Sequence, residues 1–297
     1  KDLRSLEKVV NEEFKNVYNW LAVNKLTINI KKSNFVIFHP HQKKITYQPK
    51  VQIYNNETNK LECLEHKEYV KYLGILIDKN LSWRNQIDFL ILKISKTVGM
   101  IAKLRHFVPR NILLHINQSL IHPYISYGLR AWEMASKTAL NRILILQKRC
   151  LRFIFFSESR AHAIPLFLNT SVLPVHFLYY EAVCCLMHDV ANQIAPSNIL
   201  DLFMKTSHVH SYNTLSSTSQ NYYQKFSRLE VQNKAFSRVG PRLWNELPAR
   251  MRSLPMKTFK NELHNLLLSV LEQCDDYLDT DQITFALKKS DHMKRSL

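Results

Sequence analysis

Glycine is scarce: the 297 residues hold only Gly74, Gly99, Gly128 and Gly240. Four isolated glycines cannot assemble G-x-G-x-x-G or G-x-x-x-x-G-K-[ST], so both phosphate-cradling fingerprints are excluded. The nucleophile elbow G-x-S-x-G is missing as well. Cys63, Cys150, Cys184, Cys185 and Cys274 are odd in number and form no C-x-x-C. A reducing intracellular compartment, nuclear or cytoplasmic, is the expectation. Long apolar runs are lacking. The nearest, residues 177–187, falls short of the roughly 20 residues a span requires and contains Glu181, so no membrane partner is expected. No charged n-region and apolar h-region open the chain. It starts at Lys1 instead of methionine, and we read it as a piece of something longer.

Acidic residues are the minority, 24 against 41 lysines and arginines, a formal charge of +17. The excess is local. Residues 81–160 carry 13 basic and 3 acidic side chains, a candidate polyanion surface, whereas the tail from Leu271 carries 6 acidic and 4 basic. Within that tail Asp275-Asp276 beside Tyr277 is the one adjacent pair of aspartates. Two-metal chemistry needs carboxylates on a rigid strand or hairpin, so the pair reads as solvated tail. Cys63 with His66, His39 with His41, and Cys184 and Cys185 with His188 each lack a second half-site, which argues against structural zinc. Cys184 and Cys185 read as packing residues.

What is present is mostly helical pattern. Val10, Phe14, Val17 and Leu21 make a helical stripe near the start. Residues 27–39 turn to alternating and β-branched residues closed by Pro40, which predicts a strand. Residues 51–54 and 70–77 predict a strand pair with 55–59 as its turn. Beyond Ser82, Ile87, Leu90, Ile91, Ile94, Val98 and Ile101 share one helical face, with Lys93, Lys96 and Lys103 on another. Pro109 and Pro123 each start a helix. Thr138 is the expected cap of a helix reaching Phe155, with Leu140, Ile143, Leu144, Leu151 and Ile154 apolar and Arg142, Lys148, Arg149 and Arg152 towards the other side. Residues 206–220 read as a polar loop, and a last helix runs from Met256 to Leu271. Trp20 and Trp83 are expected in the core, and Trp244 as an anchor of a C-terminal helical module.

Two stretches carry a resemblance: "NEEFKNVYNWLAVNKLTINIKKSNFVIF" at residues 11–38, and "VKYLGILIDKNLSWRNQI" at residues 70–87. In this order they resemble the reverse transcriptase of non-LTR (LINE-type, jockey-like) retrotransposons, just after its catalytic Tyr-x-Asp-Asp hairpin. "LIHPYISYGLRAWEMASKTALNRILILQKRCLRFIF" resembles the thumb that follows, and "RVGPRLWNELPARMRSLPMKTFKNEL" a signature near the end of such polyproteins. The resemblance implies an α+β, mostly helical chain. Residues 1–80 would be a short β-containing palm remnant, 81–170 a basic helical thumb, 171–272 a C-terminal helical module and 273–297 a tail.

The resemblance also implies roles. Lys32 matches the lysine that protonates the departing pyrophosphate, a general-acid role, and a one-residue shift would pass it to Lys31. Tyr72, Leu73 and Gly74 match the primer-grip strand, where glycine lets a nucleic-acid backbone approach. Phosphate contacts are expected from Lys93, Lys96, Lys103, Arg142, Lys148, Arg149 and Arg152. The implied partners are RNA and RNA–DNA primer-template, together with an upstream polymerase part. Mg2+ is implied for the whole polymerase and no cofactor is expected for this stretch. Because the catalytic aspartates are not in it, the expectation is a chain that is not itself an enzyme. The alternative is an adapted helical scaffold that binds a protein and no nucleic acid.

Overall fold

The computed structural model describes residues 2–55, 60–209, 221–224, 226 and 233–273. Of the expected turn at 55–59 and loop at 206–220, residues 56–59 and 210–220 lie outside the described residues, as does the tail from Cys274 with Asp275 and Asp276; the start of that loop, Thr206–His208, is a 3-10 turn. The chain is α+β and mostly helical. It divides into two compact units, Lys1–Gln86 and Ile87–Leu297.

The first unit opens with α1 (Leu3–Val23). Val10 and Phe14 lie on a cluster of buried Val51, Ile53 and Leu64, joined by Ile28, Ile30 and Phe35. Asn11 clamps the chain beside this cluster. Its Nδ2 donates to the Lys50 carbonyl at 2.9 Å and its Oδ1 accepts the Gln52 N–H at 2.8 Å. Three two-stranded pairings follow: β1 (Asn34–Phe35) runs parallel to β4 (Glu65–His66), and β2 (Gln52–Asn55) antiparallel to β3 (Lys60–Cys63). The last is a hairpin of β5 (Tyr69–Tyr72) and β6 (Ile75–Asp78).

This corrects three expectations. Residues 52–55 pair with 60–63, and 69–78 is a hairpin by itself, because the turn at Leu73-Gly74 breaks what reads as one strand. The stretch 27–39 is strand only at Asn34–Phe35. Asn29 folds the preceding residues into a 3-10 turn, Ile30–Lys32, its Oδ1 accepting the Lys32 N–H and its carbonyl accepting the Ser33 hydroxyl. Such local bonds compete with strand pairing. Trp83 is buried, but Trp20 is 60% exposed. It sits on the flank of the α1 stripe, and a cluster this small covers only the Val10–Phe14 side.

The second unit is helical. α2 (Arg84–Leu104) has its first three residues before the division and the rest in this unit, and α3 (Arg110–Leu120) follows Pro109. α4 (His122–Ser126) carries Pro123 in its first turn, and Gly128, at φ 64°, turns the chain into α5 (Leu129–Trp132). α6 (Lys137–Phe155) is capped two residues earlier than expected: Ser136, not Thr138, accepts the Ala139 N–H at 3.3 Å. The apolar faces of α2 and α6 are buried as their periodicity predicts.

α7 (Ile164–Thr170) leads to α8 (Val175–Ala191), which is buried along most of its length. After α9 (Ser197–Leu200) come α10 (Phe236–Glu246), α11 (Ala249–Arg252) and α12 (Met256–Glu272). The "RVGPRLWNEL" stretch is structural. Gly240 lies so close to α8 that a Cβ there would stand 2.7 Å from the Met187 sulfur. Trp244 is buried against His188 and Phe259, which stack on each other. Asn245 accepts the Tyr222 N–H at 2.9 Å and donates to the Tyr222 carbonyl at 2.8 Å. Cys150 and Cys184 are buried and Cys185 half-buried, and burial pushes the Cys150 thiol up to about 12 and that of Cys185 to about 11. Thiols held protonated in this way are packing groups, not nucleophiles.

Candidate nucleic-acid interface

In the first unit the candidates stand apart along the chain. Lys32 is exposed at the end of the 3-10 turn, next to exposed Lys31. Tyr72 closes β5, and Leu73 and Gly74 are the hairpin turn, with φ of 46° and 86°. Positive φ at both central residues is the type I′ pattern that suits the twist of a two-residue hairpin, and it is what requires glycine at 74. Tyr72 and Leu73 project at the tip, 63% and 72% exposed.

Within the first unit, the hairpin is fixed to the residues that follow it by buried polar groups. Asp78 accepts the Ser82 and Trp83 N–H groups at 2.9 and 2.7 Å, and Gln86 Oε1 accepts the Leu76 N–H at 2.9 Å. Lys79 pairs with Glu68, and that ammonium holds the exposed Glu68 carboxyl below its ordinary value.

In the second unit the basic residues fall on helical faces opposite the buried ones. On α2, Lys93, Lys96 and Lys103 share the face away from Ile87, Leu90, Ile94, Val98 and Ile101. Lys93 is half-buried, its ammonium 5.6 Å from the Phe89 ring, while Lys96 and Lys103 are exposed. On α6, Arg142, Lys148, Arg149 and Arg152 occupy one arc opposite Leu140, Ile143, Leu144, Leu151 and Ile154.

Side-chain contacts link α2 and α6 near both of their ends. Arg142 pairs with Asp88 at 2.7 Å near their starts, and Arg105 lies on Phe153 and Phe156 near their ends. The arc is not uniform. Arg142 is neutralised by Asp88, and Arg152 donates its Nε–H to the Ala161 carbonyl at 2.9 Å. Arg149 is exposed, with its guanidinium 5.3 Å from the Phe153 ring centre. Arg105 and Arg110 belong to the same basic end but escape a reading that follows helical periodicity, because both stand at helix boundaries. The legible signal is the interleaving of cations with rings in "RHF" at 105–107 and "RCLRFIFF" at 149–156.

Among the described residues no three His, Cys, Asp or Glu side chains converge on one point. Asp78, the buried carboxylate, is already engaged by backbone donors. These residues do not fit the Mg2+ that the resemblance implies for the whole polymerase. No helix among the described residues is long and apolar enough to cross a membrane.

Comparison with known proteins places the similarity among RNA-directed DNA polymerases of mobile elements. The relatives are polymerases of jockey elements. One, from Drosophila melanogaster, is 33% identical over 96 residues, which is 31% of this chain and 10% of that protein. Another, from Drosophila funebris, is 30% identical over 95 residues, again 31% and 10%. The chain thus carries a region similar to a jockey-like non-LTR retrotransposon reverse transcriptase. It spans about a tenth of the length of the curated relatives it matches. No family model matches, and no solved structure does. The expectation of a chain that is not an enzyme is corrected here. Both relatives are RNA-directed DNA polymerases, and a match over a tenth of their length gives no ground for denying the activity.

Proposed function

We propose that this chain is a nucleic-acid-binding region of a retroelement RNA-directed DNA polymerase, and that it engages RNA or RNA–DNA primer-template through the basic faces of α2 and α6. One observation carries the reading: of the 13 basic side chains in residues 81–160, against 3 acidic, seven lie on the arcs of α2 and α6 away from their buried faces. Cations so placed neutralise phosphates whatever the base sequence, and the released counterions make binding salt-dependent. On this reading residues 1–80 are the end of a palm, 81–170 a thumb and 171–272 its helical support. Lys32 as proton donor and Tyr72, Leu73 and Gly74 as primer contact go with the polymerase as a whole.

The test is equilibrium binding of an RNA–DNA hybrid across a salt series. Affinity is expected to fall steeply with salt. The triple variant Lys96→Glu, Lys103→Glu, Arg149→Glu is expected to lose about ten-fold or more across all sequences alike and to flatten the salt slope by about three. A triple variant of unchanged helicity that binds like the parent would overturn the reading.

A further inference from the structure

Where α2 and α6 end, arginines lie on phenyl rings. The Arg105 guanidinium is 5.3 Å from the Phe153 centroid and 5.0 Å from that of Phe156. Arg149 covers Phe153 at 5.3 Å, and Arg110 covers Phe155 at 4.7 Å. His106 stands edge-on to Phe156 with centroids 5.6 Å apart, and its Nε2 accepts the Arg105 Nε–H at 3.2 Å. Among the described residues none of Arg105, Arg110 and Arg149 pairs with a carboxylate.

Two rings here are largely exposed. Phe107, beside His106, is 85% exposed and Phe156 is 55% exposed. Phe156 also holds the left-handed conformation that ends α6, φ 53° and ψ 29°. Glycine adopts this conformation freely, whereas another residue is strained there by about 1–2 kcal/mol. The carbonyl ends of α2 and α6 favour nearby cations, which accounts for Arg105 and Arg149 but not for Arg110, the first residue of α3. They do not account for exposed aromatic rings, one of them on a strained backbone. Left-handed residues end or follow other helices here too, Lys25, Ser171 and Gln193 among them, so it is the exposure of the two rings that points to a use.

We propose that this cluster is a stacking site for unpaired nucleotides. The inference rests on the nucleic-acid reading above and specifies which form of nucleic acid this end takes. An exposed ring stacks on a base only where the base face is free, which a duplex does not offer. A guanidinium lying on a ring keeps its N–H groups for phosphate oxygens. The local excess of 13 basic over 3 acidic residues matches a polyanion. Unpaired RNA and unpaired DNA share this chemistry.

The full chain is titrated with a labelled oligouridylate, an oligothymidylate and an RNA–DNA hybrid, each about a dozen nucleotides long. The Phe107→Ser, Phe156→Gly double variant keeps a residue suited to the α6 cap. It is expected to lose about ten-fold or more for single strands while hybrid affinity stays unchanged. Loss for the uridylate alone assigns the site to RNA, loss for the thymidylate alone to DNA, and loss for both to either; each upholds it. A folded double variant that binds single strands like the parent, or loses hybrid affinity equally, overturns the stacking site and leaves the broader reading standing. A parent chain that binds none of the three overturns both. If the double variant unfolds, 5-iodouridine RNA is photocrosslinked to the parent: adducts on Phe107 or Phe156 uphold the site, and adducts elsewhere overturn it.

Discussion

Beneath α1 the first unit buries a cluster of three aliphatic side chains, Val51, Ile53 and Leu64, whereas in the second unit whole faces of α2, α6, α8 and α12 are buried. The difference changes what holds each chain segment in place. In the first unit, backbone segments are located by particular polar side chains: Asn11 on Lys50 and Gln52, Asn29 on Lys32, Asp78 on Ser82 and Trp83. In the second unit, helices are located by continuous apolar contact, and polar side chains such as Asn245 tie short segments to it. One unit should therefore be sensitive to the loss of single acceptors, the other to the loss of volume.

The largest effect is expected from Trp244→Ala. The ring is 3% exposed and packs against Phe259 and His188, with centroids 5.9 and 6.2 Å away. Truncating a buried aromatic costs about 3–5 kcal/mol, through lost burial and the cavity left behind. Urea unfolding followed by helical circular dichroism measures it. A loss under about 1 kcal/mol would mean that α8, α10 and α12 do not share one core, and the comparison would break.

Next comes Asp78→Ala in the first unit. The Asp78 carboxylate holds a loop in which Leu81 and Trp83 both have left-handed backbone, φ 53° and 62°. Removing it strands backbone donors near a buried indole, and the expected loss is about 1–3 kcal/mol. Asp78→Asn keeps an acceptor and should lose less. Amide exchange at Ser82 and Trp83 reads the effect locally. Equal exchange in Asp78→Ala and the parent would show that packing of Trp83 alone fixes the loop.

The same contrast explains what could be read in advance. The faces of α2 and α6 were legible because a long helix repeats its burial signal every few residues, and Ile87 through Ile101 state it several times over. Strands of two to four residues repeat it once or not at all. The hairpin at 69–78 was hidden because its turn holds leucine at 73, where turn chemistry leads one to expect asparagine or aspartate before the glycine. Trp20 was misplaced for a different reason. A stripe on α1 shows which side is apolar, but the width of the surface beneath it is set by residues 28–64, far along the chain. The basic arc of α6 was legible as charge, yet the pairing of Arg142 with Asp88 joins positions 54 apart and leaves no local pattern.

The smallest effect sharpens the comparison through pH. His264 on α12 donates Nδ1–H to Glu181 on α8 at 2.8 Å and Nε2–H to the Ser171 carbonyl at 3.0 Å. The bond to Glu181, chiefly, raises its pKa above the ordinary 6.5, against the opposing effect of burial. His122 lines the same cavity of about 380 Å3. Although that residue is exposed overall, the surrounding wall desolvates its imidazole and lowers its pKa below 6.5. The signs follow from linkage. The contribution of His264 is fully present below pH 6.5 and is lost as pH rises through its raised value. His122 acts in reverse: the unfolded chain binds its proton first, so its contribution is lost as pH falls through 6.5. In the parent the two act in adjacent pH windows, so stability of the second unit should be greatest near pH 6.5 and fall on either side. His264→Gln should leave a stability that rises with pH, and His122→Gln one that falls, each by no more than about 1 kcal/mol because both rings are partly solvated. Urea midpoints at a series of pH values measure the slopes. If both variants slope the same way, α12 is held to α8 by packing alone, and the apolar account of this unit needs no ionic tie.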